Sequence, residues 1–195
     1  MVRLRAATLL LLAALAPARG GAVAQDASPQ PMAPPADCSQ VDVADASRIL
    51  GYVVNAPDEE ARAGGICFFV SRAVSEEGSV SYAIVTDAQL ALRRGYFAAQ
   101  ARRCGSVDPS APRALICATY VKLAFAKDLD AYFAARSGPD ASPVPGLSDG
   151  AVATPDALYM RLPDAVIEVI VSRSGDFDLE RSTEVAKLLL ARRKH

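Results

Sequence analysis

Gly146-Leu147-Ser148-Asp149-Gly150 matches G-x-S-x-G, the pattern that presents a nucleophilic serine on a strand-to-helix turn. Its surroundings do not match. A proline-rich stretch precedes it and a strand pattern follows. A serine triad also needs a histidine base. The single histidine, His195, is the last residue of the sequence, on a basic tail. The segment is therefore expected to be a turn. Glu59-Glu60 and Glu76-Glu77 are acidic pairs in polar stretches. Carboxylates do acid/base work when burial or a neighbour pushes their pKa values apart, whereas pairs in loops are solvated. No acidic run has the ligand spacing of a calcium loop. No cofactor is expected.

The four cysteines are Cys38, Cys67, Cys104 and Cys117. No C-x-x-C pair occurs, which argues against zinc and against a redox dithiol. An even count in an exported chain favours disulfides, and the N-terminus reads as an export signal. Arg3 and Arg5 start it, residues 6–16 are apolar apart from Thr8, and Ala22-Val23-Ala24 supplies a small-x-small cleavage pattern. Residues 1–24 are thus expected to be a signal peptide. An apolar core of about eleven residues is short of the roughly 20 that span a bilayer. No stable membrane insertion is expected after signal removal. Of the three pairings, Cys38–Cys67 with Cys104–Cys117 is preferred, because each bridge brackets one local unit.

Without residues 1–24 the chain holds 18 basic and 22 acidic residues. A mildly acidic chain lacks the Lys/Arg excess on which nucleic-acid affinity rests. Residues 25–37 contain Pro29, Pro31, Pro34 and Pro35 and little that packs, so they read as a disordered tether. Residues 38–195 make one domain, long enough to bury a core.

The elements follow from periodicity and caps. Residues 42–50 form a short helix, with Asp42 as cap and Gly51 as left-handed stop. Residues 57–65 are a loop. Residues 66–72 and 79–85 form a hairpin. Thr86 and Gln89 have capping-box spacing, starting a helix over 87–103. A second long helix covers 113–136, with Ala118, Val121, Phe125, Leu129 and Tyr132 as its buried stripe. Residues 138–150 are a linker. Residues 157–162 and 165–172 are strands. Both faces of the second are mostly apolar, so it is central in its sheet. Asp176 and Asp178 favour the start of a last helix, with Leu179, Val185, Ala186 and Leu189 buried. The expected fold is α+β. An antiparallel sheet is built from two hairpins in two related halves, helices cover one face, and a helical hairpin is inserted between the halves.

Cys38-Ser39-Gln40-Val41, Gly65-Ile66-Cys67-Phe68 and Val144-Pro145-Gly146-Leu147-Ser148-Asp149-Gly150-Ala151, before a strand pair and a terminal helix, carry a resemblance. The chain resembles an exported-domain family common among actinobacterial lipoproteins. That family has a cysteine opening the first helix, a second before an aromatic strand residue, and a Gly-Leu-Gly-Asp-like turn opening the second half. Three departures stand out: no lipobox cysteine, a long inserted helix from Arg113, and Ser148 where the family has Gly. The resemblance implies the Cys38–Cys67 bridge, the two-half fold and a cell-envelope role in binding. It carries over no catalytic residues.

Arg93-Arg94 and Arg102-Arg103 scatter around one helix and read as solvated. The basic end 191–195 complements the helix dipole, with weak contact to anionic lipid as the alternative. Phe68 and Phe69 point to opposite faces of their strand. With helices on one face only, the open face of the sheet is the expected binding surface. Phe68, Phe69 and Tyr82 are its candidate residues. The expected function is a non-catalytic, periplasmic or extracellular envelope protein binding a protein, peptide or small apolar ligand. Its rivals are a hydrolase using Asp/Glu carboxylates without histidine, and a structural envelope component.

Overall fold

A computed structural model describes residues 35–72, 77–105, 114–148 and 150–193. The expected signal peptide and most of the expected tether lie outside the described residues. The tether's last residues join the folded part. The Ala36 N–H donates to the Arg62 carbonyl at 2.8 Å, and Asp37 caps a 3-10 turn over Cys38–Gln40.

Helix α1 (Val43–Leu50) starts where expected. Asp42 and Asp45 exchange side chain and backbone in a capping box, and Gly51 ends the helix at φ 84°. A short helix α2 (Glu59–Ala63) replaces part of the expected loop, because the Asp58 carboxylate accepts from the Ala61 N–H. Strands β1 (Cys67–Val70) and β2 (Gly78–Val85) form the first antiparallel pair. Helix α3 (Asp87–Arg103) opens on the Thr86–Gln89 capping box.

The expected long helix over 113–136 is two helices, α4 (Ala114–Phe125) and α5 (Leu129–Ser137). The Asp128 carboxylate accepts from the Ala131 N–H at 2.8 Å and starts α5 afresh. An N-cap residue has extended backbone, so the helical path must break before it. The break changes the outcome for the expected stripe. Leu129 and Tyr132 are buried, while Ala118, Val121 and Phe125 are exposed.

The expected linker contributes β3 (Ser142–Pro143), which pairs with β4 (Ala151–Ala153). Strands β5 (Leu158–Leu162) and β6 (Ala165–Arg173) form the second hairpin, and a short β7 (Asp176–Phe177) pairs with the end of β6. Helix α6 (Leu179–Arg193) follows. Leu179 is exposed at its first turn, and Ser182 takes the inward place, its hydroxyl accepting from the Val171 N–H.

The sheet runs β1-β2-β6-β5-β4-β3 and is antiparallel at every pairing. The α+β class and the two joined hairpins are as expected. Hairpin one meets hairpin two along β2 and β6, from Gly78 opposite Arg173 to Val85 opposite Val166. The helices do not stay on one face. Phe69, Val80, Tyr82, Leu158, Met160, Ile167, Val169 and Val171 pack with α1 and α6. Ala83, Val85 and Val166 form a second core with Leu90 of α3, Leu123 of α4 and Leu129 and Tyr132 of α5. A strand apolar on both faces needs cover on both, and β6 is such a strand.

The bridges are Cys38–Cys67 and Cys104–Cys117. The first ties the 3-10 turn to β1. The second ties the end of α3 to α4. Loops of this size stabilise by about 3 kcal/mol when closed. Replacing Cys38 and Cys67 together by serine is expected to lower the unfolding free energy by about 3 kcal/mol in urea titration, with the m-value rising as the unfolded chain expands.

Candidate functional site

Three regions hold groups that sequence alone would not bring together. The first is a buried charge cluster. Glu168 stands on the central strand β6, on the face covered by α5. The Arg136 guanidinium donates to it through Nε at 2.8 Å and Nη2 at 3.4 Å, and the Tyr132 hydroxyl donates to it at 2.7 Å. Tyr132 and Arg136 are one helical turn apart, so one face of α5 supplies both. Arg136 also lies over the Tyr159 ring, 5.5 Å from its centre.

Burial alone would push the Glu168 carboxyl up. The nearby Arg136 and Arg93 guanidiniums and the two side-chain hydrogen bonds outweigh it and hold the pKa below its ordinary value. Burial pushes Tyr159 up to about 12 and also raises Tyr132, next to the Glu168 charge. A carboxylate held ionised by a fixed guanidinium is a poor proton donor. The cluster is an internal clamp between α5 and the sheet.

The second region is a cleft of about 440 Å³ lined in part by Gln40, Tyr82, Thr86, Gln89, Asp164 and Arg193. Tyr82, one of the residues singled out above, forms part of its wall. Its hydroxyl accepts from the Val41 N–H at 3.3 Å, and burial pushes its pKa up to about 12. The Gln40 Oε1 is buried without a hydrogen-bond partner. Asp37 and Asp164 also line the cleft. Hydrogen bonding to Ser39 lowers the first and bonding to Arg193 lowers the second. Neither has the raised pKa of a general acid. Phe69 is fully buried on the same sheet face as Tyr82, while Phe68 is half-buried on the other. The three candidates therefore do not form one surface, and the open sheet face expected to carry them is covered by helices.

Ser148 lies in the turn between β3 and β4, and its Oγ is buried with no hydrogen-bond partner. Neither a preceding helix-directed strand nor a histidine accompanies it among the described residues. His195 and Asp149 lie outside them. Glu59, Glu60 and Glu77 are exposed, and Glu76 lies outside the described residues.

The third region is α4. Of its twelve residues only Leu123 is fully buried, and Lys122 is its one charge. Leu115 is 82% exposed, Phe125 78%, Ile116 56% and Val121 43%. Leu115, Val121 and Phe125 share one side of the helix and present on the order of 350 Å² of apolar surface, within the range of the largest patch on a typical monomer. At 100° per residue, Leu115, Ala118, Val121, Lys122 and Phe125 fall within a sector of about 120° on the side away from Leu123, while Ile116 lies about 20° from Leu123. Tyr96 of α3 is 52% exposed. The sequence signal for this face was present as the regular stripe of α4. The direction in which the stripe points was not.

No protein-family model, curated protein or solved structure matches the chain.

Replacing Glu168 by glutamine leaves a half-buried guanidinium without its counter-charge, and is expected to cost about 2 kcal/mol of stability at neutral pH. The folded-state pKa of Glu168 lies below its ordinary 4.5. Its contribution is therefore complete above pH 4.5 and fades as pH falls through the lower folded value. Urea unfolding of E168Q across that window is expected to show a shallower acid loss than the parent.

Proposed function

We propose that the protein is a non-catalytic, exported cell-envelope module that acts by docking through the outward face of α4. The observation that carries this reading is the exposure of Leu115, Val121 and Phe125 on one face of a single twelve-residue helix. A helix that is apolar nearly all round is normally enclosed. This one is enclosed on one side only. The rest of the molecule supports the assignment. Its buried carboxylate is committed to a clamp, and the acidic groups of its cleft are held ionised. Among the described residues no group of three or more His, Cys, Asp or Glu side chains is placed to hold a metal. Two disulfides fit an oxidising compartment. No helix of the described residues is long and apolar enough to cross a membrane. The family resemblance of the sequence points to the same compartment.

Covalent carbene footprinting checks the reading whatever the occupant is. Val53, 56% exposed and distant in sequence from α4, is the internal reference. Labelling of Leu115, Val121 and Phe125 relative to Val53 is expected to fall several-fold in the isolated envelope fraction compared with purified protein. Equal ratios in the two samples would remove the docking role.

A further inference from the structure

We infer that what covers the α4 face is the surface of an anionic phospholipid bilayer. This rests on the docking reading above and names its partner. The charge distribution selects it. Residues 87–127 contain seven basic and two acidic residues, whereas the rest of the chain contains 14 basic and 20 acidic. Arg94, Arg102, Arg103, Lys122 and Lys127 make no ion pair among the described residues. Of these, Arg102 and Arg103 lie at one end of the apolar face and Lys122 and Lys127 at the other. Arg102 and Arg103 precede Cys104, which the bridge holds 5.5 Å, Cα to Cα, from Cys117 and so near Leu115 and Ile116. Lys122 is one turn from Phe125, and Lys127 follows two residues after it.

Apolar side chains outward, a lysine on the edge of the sector and cations at both ends are the composition of a helix that lies in a membrane interface. Leu115, Val121 and Phe125 would enter the acyl boundary, while the long stem of Lys122 reaches back to the headgroups. The acidic remainder of the chain orients the molecule with this hairpin toward the lipid. A second copy is disfavoured. A twofold contact places the same patch against itself, and here that brings cations against cations.

Co-sedimentation of the full chain, disulfides intact, tests the inference. The probes are vesicles of phosphatidylcholine alone and of phosphatidylcholine mixed with phosphatidylglycerol. Binding is expected to the mixed vesicles only, and to weaken as salt is raised. L115S/F125S changes two exposed residues and is expected to reduce partitioning at least tenfold. K122Q/K127Q is expected to reduce it about 25-fold, taking fivefold per basic residue. Circular dichroism and urea midpoints matching the parent confirm that both variants fold. Undiminished vesicle binding by L115S/F125S overturns the inference. So does absence of binding to the mixed vesicles. If α4 is nonetheless protected in the envelope fraction, the face belongs to an acidic protein or a second copy, and the docking reading stands without the lipid. If it is not protected, both fall.

Discussion

Strand β6 lies between β2 and β5 and has apolar residues on both faces, with one buried charge, Glu168, in the middle and Arg173 exposed at its end. A carboxylate cannot stay ionised there without a partner of opposite sign. That constraint decides where α5 goes. Arg136 and Tyr132 must both reach Glu168, so the helix face that carries them is pressed to the sheet. Once α5 is fixed in rotation, Leu129 on its inner side is fixed too, and the second core closes around Val166, Val85 and Leu90. The clamp also answers a question of specificity. An apolar residue at position 168 would fill the space at less desolvation cost, but it would not single out one rotation of α5.

The same constraint frees α4. Had the chain continued as one helix from 113 to 136, the stripe through Val121 and Phe125 would have run into Leu129 and Tyr132 and been buried with them. Asp128 interrupts it. The new helix takes its rotation from Glu168, and α4 takes its own from Leu123 and from the contact of Tyr120 with Phe97, whose rings lie 6.4 Å apart. Separating the two helices is what leaves an apolar face uncovered. The exposure is thus a consequence of a cap and a buried charge, both local features.

Much of the fold was legible because it is written in local signals. The Asp42 cap, the Gly51 stop, the Thr86–Gln89 box and the alternation of β2 act within a few residues, and each appears where the sequence places it. The cysteine pairing follows from the same locality. Cover on both faces is legible in β6 itself, since both of its faces are apolar. The break at Asp128 is hidden in the sequence because an apolar stripe of helical period continues through it. Periodicity reports that a helix face is apolar, not what lies against it. For that reason Phe69 and Tyr82 were legible as aromatic strand residues but not as core, and the α4 stripe was legible as apolar but not as outward. Glu168 was visible only as one member of an alternating strand. Its partners lie 32 and 36 residues away and no local pattern joins them.

An exposed apolar helix needs something other than burial to hold it in place. Leu123 alone is fully buried on α4, so the hydrophobic contribution that normally docks a helix is small here. The Cys104–Cys117 bridge supplies the difference. It closes a short loop at the far end of the hairpin from the Asp128 break, so that α4 is tied at one end covalently and at the other by the start of α5. A helix held in this way keeps its side chains pointing outward without surrendering them to the core. This accounts for a bridge on a hairpin whose second helix has a single fully buried residue. Stabilising the helix by turning Val121 and Phe125 inward would have been the simpler physical solution. A covalent clip instead holds α4 in place while its apolar face stays open.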